Sequence, residues 1–185
     1  ENEIPFDAPV TRTWVERYVV TKDGQTHIDS PLGGRDGFID DRIQGEEIDP
    51  DDITKAFFVP KLCNQCENPA CVQVCPVGAT YQTNDGVVLH SKDLCIGCGY
   101  CFYACPFGAP QYPQAGNFGS RGKMDKCTFC AGGPEDDNSP EEYAKYGANR
   151  LADGKLPLCA EMCSTKALLG GDGDLIADLY RQRVI

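Results

Sequence analysis

Twelve cysteines divide into three sets of four, with none left over. The first set is Cys63-x2-Cys66-x4-Cys71-x3-Cys75-Pro76, and the second is Cys95-x2-Cys98-x2-Cys101-x3-Cys105-Pro106. The third pairs Cys127-x2-Cys130 with Cys159-x3-Cys163 across residues 131–158. So many thiols in 185 residues serve either disulfide bridging or metal ligation. Spacing separates the two. A disulfide framework has no need of a repeated four-cysteine unit, whereas ligation by several thiolates from one short loop requires it. A zinc site built from two separated Cys-x2-Cys pairs resembles only the third set.

The second set carries the spacing of a bacterial four-iron site: three thiolates on one tight loop and a fourth followed by proline. A four-iron, four-sulfide cubane takes one thiolate per iron from several directions. Three cysteines wrapped on one loop cover one face, and the fourth arrives from elsewhere. Gly97 and Gly99 suit that loop, because a backbone this close to sulfur needs unusual dihedrals and bare N–H groups.

An internal repeat supports the pattern. Cys75-Pro76-Val77-Gly78-Ala79 returns as Cys105-Pro106-Phe107-Gly108-Ala109, and a looser copy is Cys163-Ser164-Thr165-Lys166-Ala167. Between the first two copies, Thr80-Tyr81-Gln82, an Asn84-Asp85-Gly86 turn and Val87-Val88-Leu89 predict a β-hairpin. The expected fold class is α+β: ferredoxin-like modules with pseudo-twofold symmetry, short helices, β-hairpins and long irregular loops. The expected organisation is a strand, hairpin and acidic loop over 1–54, a two-cluster module over 55–125, and a third motif with an acidic insertion and C-terminal helix over 126–185.

The stretches Cys63-Asn64-Gln65-Cys66-Glu67-Asn68-Pro69-Ala70-Cys71-Val72-Gln73-Val74-Cys75-Pro76, Asp93-Leu94-Cys95-Ile96-Gly97-Cys98-Gly99-Tyr100-Cys101 and Lys126-Cys127-Thr128-Phe129-Cys130 resemble the electron-transfer subunits of the molybdopterin oxidoreductase superfamily. That family includes iron–sulfur subunits of formate dehydrogenases and of polysulfide, tetrathionate, dimethyl sulfoxide and nitrate reductases. Within it, Gly122-Lys123-Met124-Asp125-Lys126-Cys127-Thr128-Phe129-Cys130-Ala131-Gly132-Gly133 and Leu156-Pro157-Leu158-Cys159-Ala160-Glu161-Met162-Cys163 are most similar to formate dehydrogenase β subunits. The resemblance covers about residues 55–175.

The resemblance implies three [4Fe-4S] clusters. By likeness to two-cluster ferredoxins, one takes Cys63, Cys66, Cys71 and Cys105, and its neighbour takes Cys95, Cys98, Cys101 and Cys75. The alternative keeps each set on its own cluster. A third cluster takes Cys127, Cys130, Cys159 and Cys163. Larger family members carry a fourth Cys-rich set near the N-terminus that exchanges ligands with this third one. Two readings follow: a self-contained third site, which is favoured, or a shortened chain in which Cys163 served a fourth cluster. The implied partner is a large molybdenum or tungsten bis-pterin catalytic subunit, with a membrane cytochrome b or another carrier beyond it. The implied location is periplasmic, exported with that partner, or membrane-associated on that side; a cytoplasmic location is the alternative.

The rest of the chain carries no catalytic set: there is no phosphate loop, no Ser-His-Asp arrangement and no spare cysteine. The formal charge of −11 argues against nucleic acid as partner, and no apolar run is long enough to span a bilayer. Thr13–Val20 alternates like a strand, with Trp14 and Tyr18 as packing residues and Asp23-Gly24 as a turn. Residues 31–53 are expected to form an irregular acidic insertion, solvated rather than calcium-binding, and Pro134–Glu142 a surface stretch. His27 and His90 are expected to be structural or exposed. Arg121, Lys123 and Lys126 stand before the third set, where positive charge would raise its reduction potential, so that Lys126→Glu would lower it. Asp174–Val184 predicts a short amphipathic helix capped by Asp174 and packed through Leu175, Ile176, Leu179 and Val184. The leading function is therefore electron transfer beside a catalytic subunit. The alternatives are a free polyferredoxin, an equivalent subunit of a related reductase, and a zinc-stapled scaffold.

Overall fold

The computed structural model describes residues 12–29, 48–112, 122–135 and 139–184. The described residues fall into two compact units, one ending at Cys127 and the other starting at Thr128.

In the first unit, β1 (Trp14–Thr21) is the middle strand of an antiparallel sheet between β2 (Thr26–Asp29) and β3 (Ile53–Lys61). Alternation along β1 buries Trp14, Glu16, Val19 and Thr21. Glu16 is tolerated there because Trp14 Nε1, Tyr18 Oη and Lys61 Nζ all reach its carboxylate, at 3.2, 2.9 and 3.2 Å. Lys61 closes the sheet at the first thiol set, where the register pairs Trp14 with Lys61. The expected boundary at 54/55 falls inside β3, whose mostly exposed residues show no alternating burial. Of the acidic insertion, Asp49 is described: its carboxylate accepts from Asp51 N and opens a 3-10 turn over Pro50–Asp52. Asp36, Asp40, Asp41, Glu46 and Glu47 lie outside the described residues, as does Arg121.

Next come α1 (Ala70–Gln73), the hairpin β4 (Thr80–Gln82) and β5 (Val88–His90), and α2 (Tyr100–Ala104). The register Thr80↔His90, Tyr81↔Leu89, Gln82↔Val88 is closed by Gly86 N donating to Thr83 O at 3.0 Å. The two repeat copies turn identically: Gly78 N reaches Cys75 O, and Gly108 N reaches Cys105 O, each at 3.4 Å. Gly78 and Gly108 adopt φ of 64° and 66°, which explains glycine at both places. This α+β arrangement of short helices and antiparallel strands is a ferredoxin-like one. Its core gathers Ala79, Cys95, Cys101, Phe102, Tyr112 and Met124, with Cys71, Val74 and Cys75 against it. Arg12 and Lys92 meet Asp125 at 2.7 and 2.6 Å and fasten the end of the unit to its start.

The second unit holds α3 (Pro140–Tyr146), α4 (Leu158–Met162) and α5 (Gly173–Val184). Ser139 caps α3 by accepting from Glu142 N at 3.2 Å, and Pro140 supplies the first helical residue. Glu142 is buried, so the expected surface stretch turns inward there. The start of α5 differs from expectation. Asp172, not Asp174, caps it, accepting from Asp174 N and Leu175 N at 3.1 Å each, because the helix begins one residue earlier. Leu175 and Leu179 are exposed while Ile176 is half-buried, and α5 is also held by Tyr180 Oη on Ala167 O and Arg183 Nη1 on Lys166 O. Among the described residues no helix is long and apolar enough to cross a membrane.

Candidate metal centres

All twelve cysteines are free of disulfides. Cys63 and Cys66 sit on an open loop, Cys71 on α1, and Cys75 just after it. Burial pushes the Cys71 thiol up to about 11, and Cys63 and Cys105 add to the effect, with Lys126 opposing it. Cys66 is raised likewise, by burial first and then by Cys63 and Cys105. Cys105, which ends the second motif, therefore stands close enough to the first motif to act on two of its thiols. Cys75 is the converse case. Against the upward push of burial, hydrogen bonds from the Thr80, Val77 and Ala79 backbone hold its thiol below the ordinary value.

The second loop wraps its sulfurs in donors. Gly97 N and Met124 N lie 3.4 and 3.5 Å from Cys95 Sγ. Gly97 and Gly99 adopt φ of 70° and 83°, the left-handed conformation that turns N–H groups inward and starts α2. Cys101 is buried on α2, and Tyr112 Oη lies 3.2 Å from its sulfur. Burial raises Cys101, while Tyr112 opposes and Cys95 and Cys98 reinforce the rise.

Of the third set, Cys127 closes the first unit, and Cys130, Cys159 and Cys163 lie in the second. There Leu158 N, which opens α4, points at Cys130 Sγ from 3.4 Å. Leu168 N lies 3.4 Å from Cys163 Sγ and Thr165 Oγ1 lies 3.6 Å from it, lowering that thiol to about 7. Phe129 and Cys130 both take positive φ, 58° and 57°, a strained loop without glycine.

These residues suit four-iron clusters. Amide N–H groups aimed at sulfur are what cluster thiolates accept, and thiols of one set perturb one another's ionisation. Among the described residues, however, no three His, Cys, Asp or Glu groups converge tightly enough for a single ion.

Of the two candidate tuning lysines, Lys123 reaches the second loop, and Lys126 keeps its contact with the third set while also facing the first. Lys123 Nζ donates to Cys95 O at 2.8 Å, on the second loop. Lys126 is buried; it donates to Val88 O and, at 2.9 Å, to Cys127 O, and its charge acts on Cys66 and Cys71. So Lys126 touches the third set through Cys127 while facing the first. Both lysines are drawn in by backbone carbonyls, which sequence adjacency does not reveal. Tyr112, Gln65 and Met124 N are partners of cysteine that the motif reading missed; only Gln65, inside Cys63-x2-Cys66, stood where the motif could have flagged it.

His90 is buried at the end of β5 with Nδ1 3.0 Å from Thr80 Oγ1, which is a structural role. His27 pairs with Val19 in the β1–β2 register.

A family model described as a 4Fe-4S dicluster domain matches residues 54–173. The protein is 63% identical over 123 residues to the formate dehydrogenase iron–sulfur subunit of Wolinella succinogenes, covering 66% of this sequence and 62% of that protein. It is 41% identical over 113 residues to a component of the anaerobic dimethyl sulfoxide reductase of Escherichia coli, covering 61% of this sequence and 44% of the relative. A tetrathionate reductase subunit of Salmonella typhimurium is 33% identical over 172 residues, covering 93% of this sequence and 49% of the relative. The matched region thus spans between about two-fifths and three-fifths of the length of these relatives.

Proposed function

The protein belongs to the 4Fe-4S dicluster domain family, and from that membership we propose that it is an electron-transfer subunit serving a pterin-dependent catalytic partner, with formate as that partner's substrate. It carries electrons rather than transforming a substrate. The observation that carries the reading is the match of a 4Fe-4S dicluster domain to residues 54–173, beside backbone N–H groups aimed at Cys95, Cys130 and Cys163. The proposed sets are Cys63, Cys66, Cys71 and Cys105; Cys95, Cys98, Cys101 and Cys75; and Cys127, Cys130, Cys159 and Cys163. The third rests on spacing and on the N–H groups aimed at Cys130 and Cys163.

When bound, such clusters accept and release single electrons at potentials the protein adjusts. The protein's part is done by named groups. Gly97, Met124 and Tyr112 bring donors to second-set sulfurs, and core packing around Phe102 and Met124 keeps water from them. The identity of 63% to a formate dehydrogenase subunit supports formate over dimethyl sulfoxide or tetrathionate, whose subunits are 41% and 33% identical. A membrane cytochrome b as acceptor and a periplasmic location, with the cytoplasm as alternative, belong to the proposal and rest on the resemblance alone.

The test is anaerobic purification through an affinity tag on this protein. A co-purifying subunit that carries molybdenum or tungsten, and reduction of the iron–sulfur signals by formate, are the expected results. Reoxidation of the pre-reduced signals by dimethyl sulfoxide or tetrathionate, with no reduction by formate, would reassign the substrate. A stable, partner-free protein would favour the polyferredoxin reading.

A further inference from the structure

A small polar junction joins two thiol sets that the sequence keeps far apart. Gln65 stands on the first-set loop at φ of 48°, a strained conformation for a residue other than glycine. Its Oε1 accepts from Val88 N at 2.8 Å, and its Nε2 donates to Cys127 O at 3.1 Å and approaches Cys127 Sγ at 3.9 Å. Lys126 completes the junction from the other side, donating to Val88 O and Cys127 O. Val88 and Cys127 are thus each held by both side chains.

Lys126 is 2% exposed, and among the described residues no carboxylate pairs with it. Its two hydrogen-bond acceptors are neutral carbonyls. A buried ammonium without a counter-ion is costly, so its charge calls for a compensating anion close by. Asp125, next in sequence, is already engaged by Arg12 and Lys92. The first-set loop lies at the same junction, because Gln65, between Cys63 and Cys66, bonds Val88 N and Cys127 O, the two residues whose carbonyls hold the ammonium. A four-iron cluster bound by four thiolates is an anion in both redox states, and more so when reduced.

We propose that Lys126 is the built-in counter-ion of the cluster held by Cys63, Cys66, Cys71 and Cys105, a positioning residue whose buried charge raises that cluster's reduction potential, while Gln65 ties the same loop to Cys127. The inference rests on the reading that the first set holds a cluster. It differs from assigning Lys126 to the third set, its neighbour in sequence. Because the charge favours the more negative state, it stabilises the reduced form of the first cluster over its oxidised form. The second-set cluster, set around Cys101 and Tyr112, serves as the internal standard.

The test uses the full chain purified anaerobically with its clusters, and iron and sulfide are measured before anything else. Spectroscopically monitored redox titration is then run on wild type, Lys126→Met and Lys126→Arg, with the first-set signal identified as the one altered in Cys66→Ser. Lys126→Met is expected to shift the first-set reduction equilibrium at least tenfold toward the oxidised form, about 59 mV for a one-electron couple. Lys126→Arg is expected to keep most of the wild-type value, and the second-set potential to hold still in both. Loss of the first-set signal in Lys126→Met with its retention in Lys126→Arg also supports the proposal, because charge is then needed to hold the cluster at all. An unmoved first-set potential in Lys126→Met overturns it, as does an equal change in both variants or an equal shift in the second set. Wild-type protein without iron and sulfide would instead remove the cluster reading itself, and the inference with it.

Discussion

Tyr112 holds its hydroxyl 3.2 Å from the sulfur of Cys101, deep in the core of the first unit. Burial, then the bond to Cys101 and the nearby Cys95 and Cys98, push the tyrosine well above its ordinary ionisation range, so the hydroxyl stays protonated and is placed to donate to Cys101 when that sulfur is a cluster thiolate. Donors to cluster sulfur stabilise the reduced state. Tyr112→Phe is therefore expected to lower the second-set potential. A bond worth about 0.5–1.5 kcal/mol corresponds to roughly 20–60 mV for one electron. Redox titration checks this, and a potential that rises would contradict the donor role.

Thr80 and His90 face each other across the β4–β5 hairpin, and His90 is expected to make stability pH-dependent. Burial, reinforced by the positive charge of Lys126, depresses the imidazole from its ordinary 6.5 to about 4, and Nε2 has no partner among the described residues. In that window the unfolded state takes up a proton that the folded state refuses. The folded state is unaffected above pH 6.5 and loses stability as pH falls toward 4, by about 3 kcal/mol in all. Denaturant unfolding of wild type and His90→Gln at about pH 7 and about pH 4.5 measures it. The wild type is expected to lose more than the variant; equal losses would show that His90 does not carry the dependence.

Gly133 is pressed against α3. A Cβ there would collide with the Tyr146 ring and with Glu142 Oε1, and Tyr146 is 2% exposed. Gly133→Ala is expected to destabilise the second unit by about 1–3 kcal/mol. Gly173→Ala, where nothing lies within 4 Å, is the matched control and is expected to be near neutral. Thermal or denaturant unfolding of the two variants distinguishes them.

The elements whose pattern is local were legible in the sequence. The alternation over residues 13–20 became Trp14–Thr21, the Asn84-Asp85-Gly86 turn closed the expected hairpin, and Gly97 and Gly99 took the positive φ their loop required. What the sequence hid is set by long-range pairing. Ile53–Lys61 is exposed along most of its length, so it has little periodic burial to read, and its register with β1 comes from backbone bonds across the acidic insertion. The inward setting of Lys126 was hidden for a related reason. Its neighbour in sequence is Cys127, but a flexible four-carbon stem follows the carbonyls of Val88 and Cys127 into the interior, toward Cys66 and Cys71. The cap of α5 moved by two residues because both Asp172 and Asp174 are suitable cap types, and Asp172 is the one that meets two free N–H groups.

Whether all twelve cysteines bind iron–sulfur clusters is tested most directly by iron, zinc and acid-labile sulfide per chain on anaerobically purified protein, with intact mass on the same sample. Three four-iron clusters predict about 12 iron and about 12 sulfide per chain. About 8 of each would contradict a self-contained third set at Cys127, Cys130, Cys159 and Cys163, and zinc without sulfide would contradict electron transfer altogether.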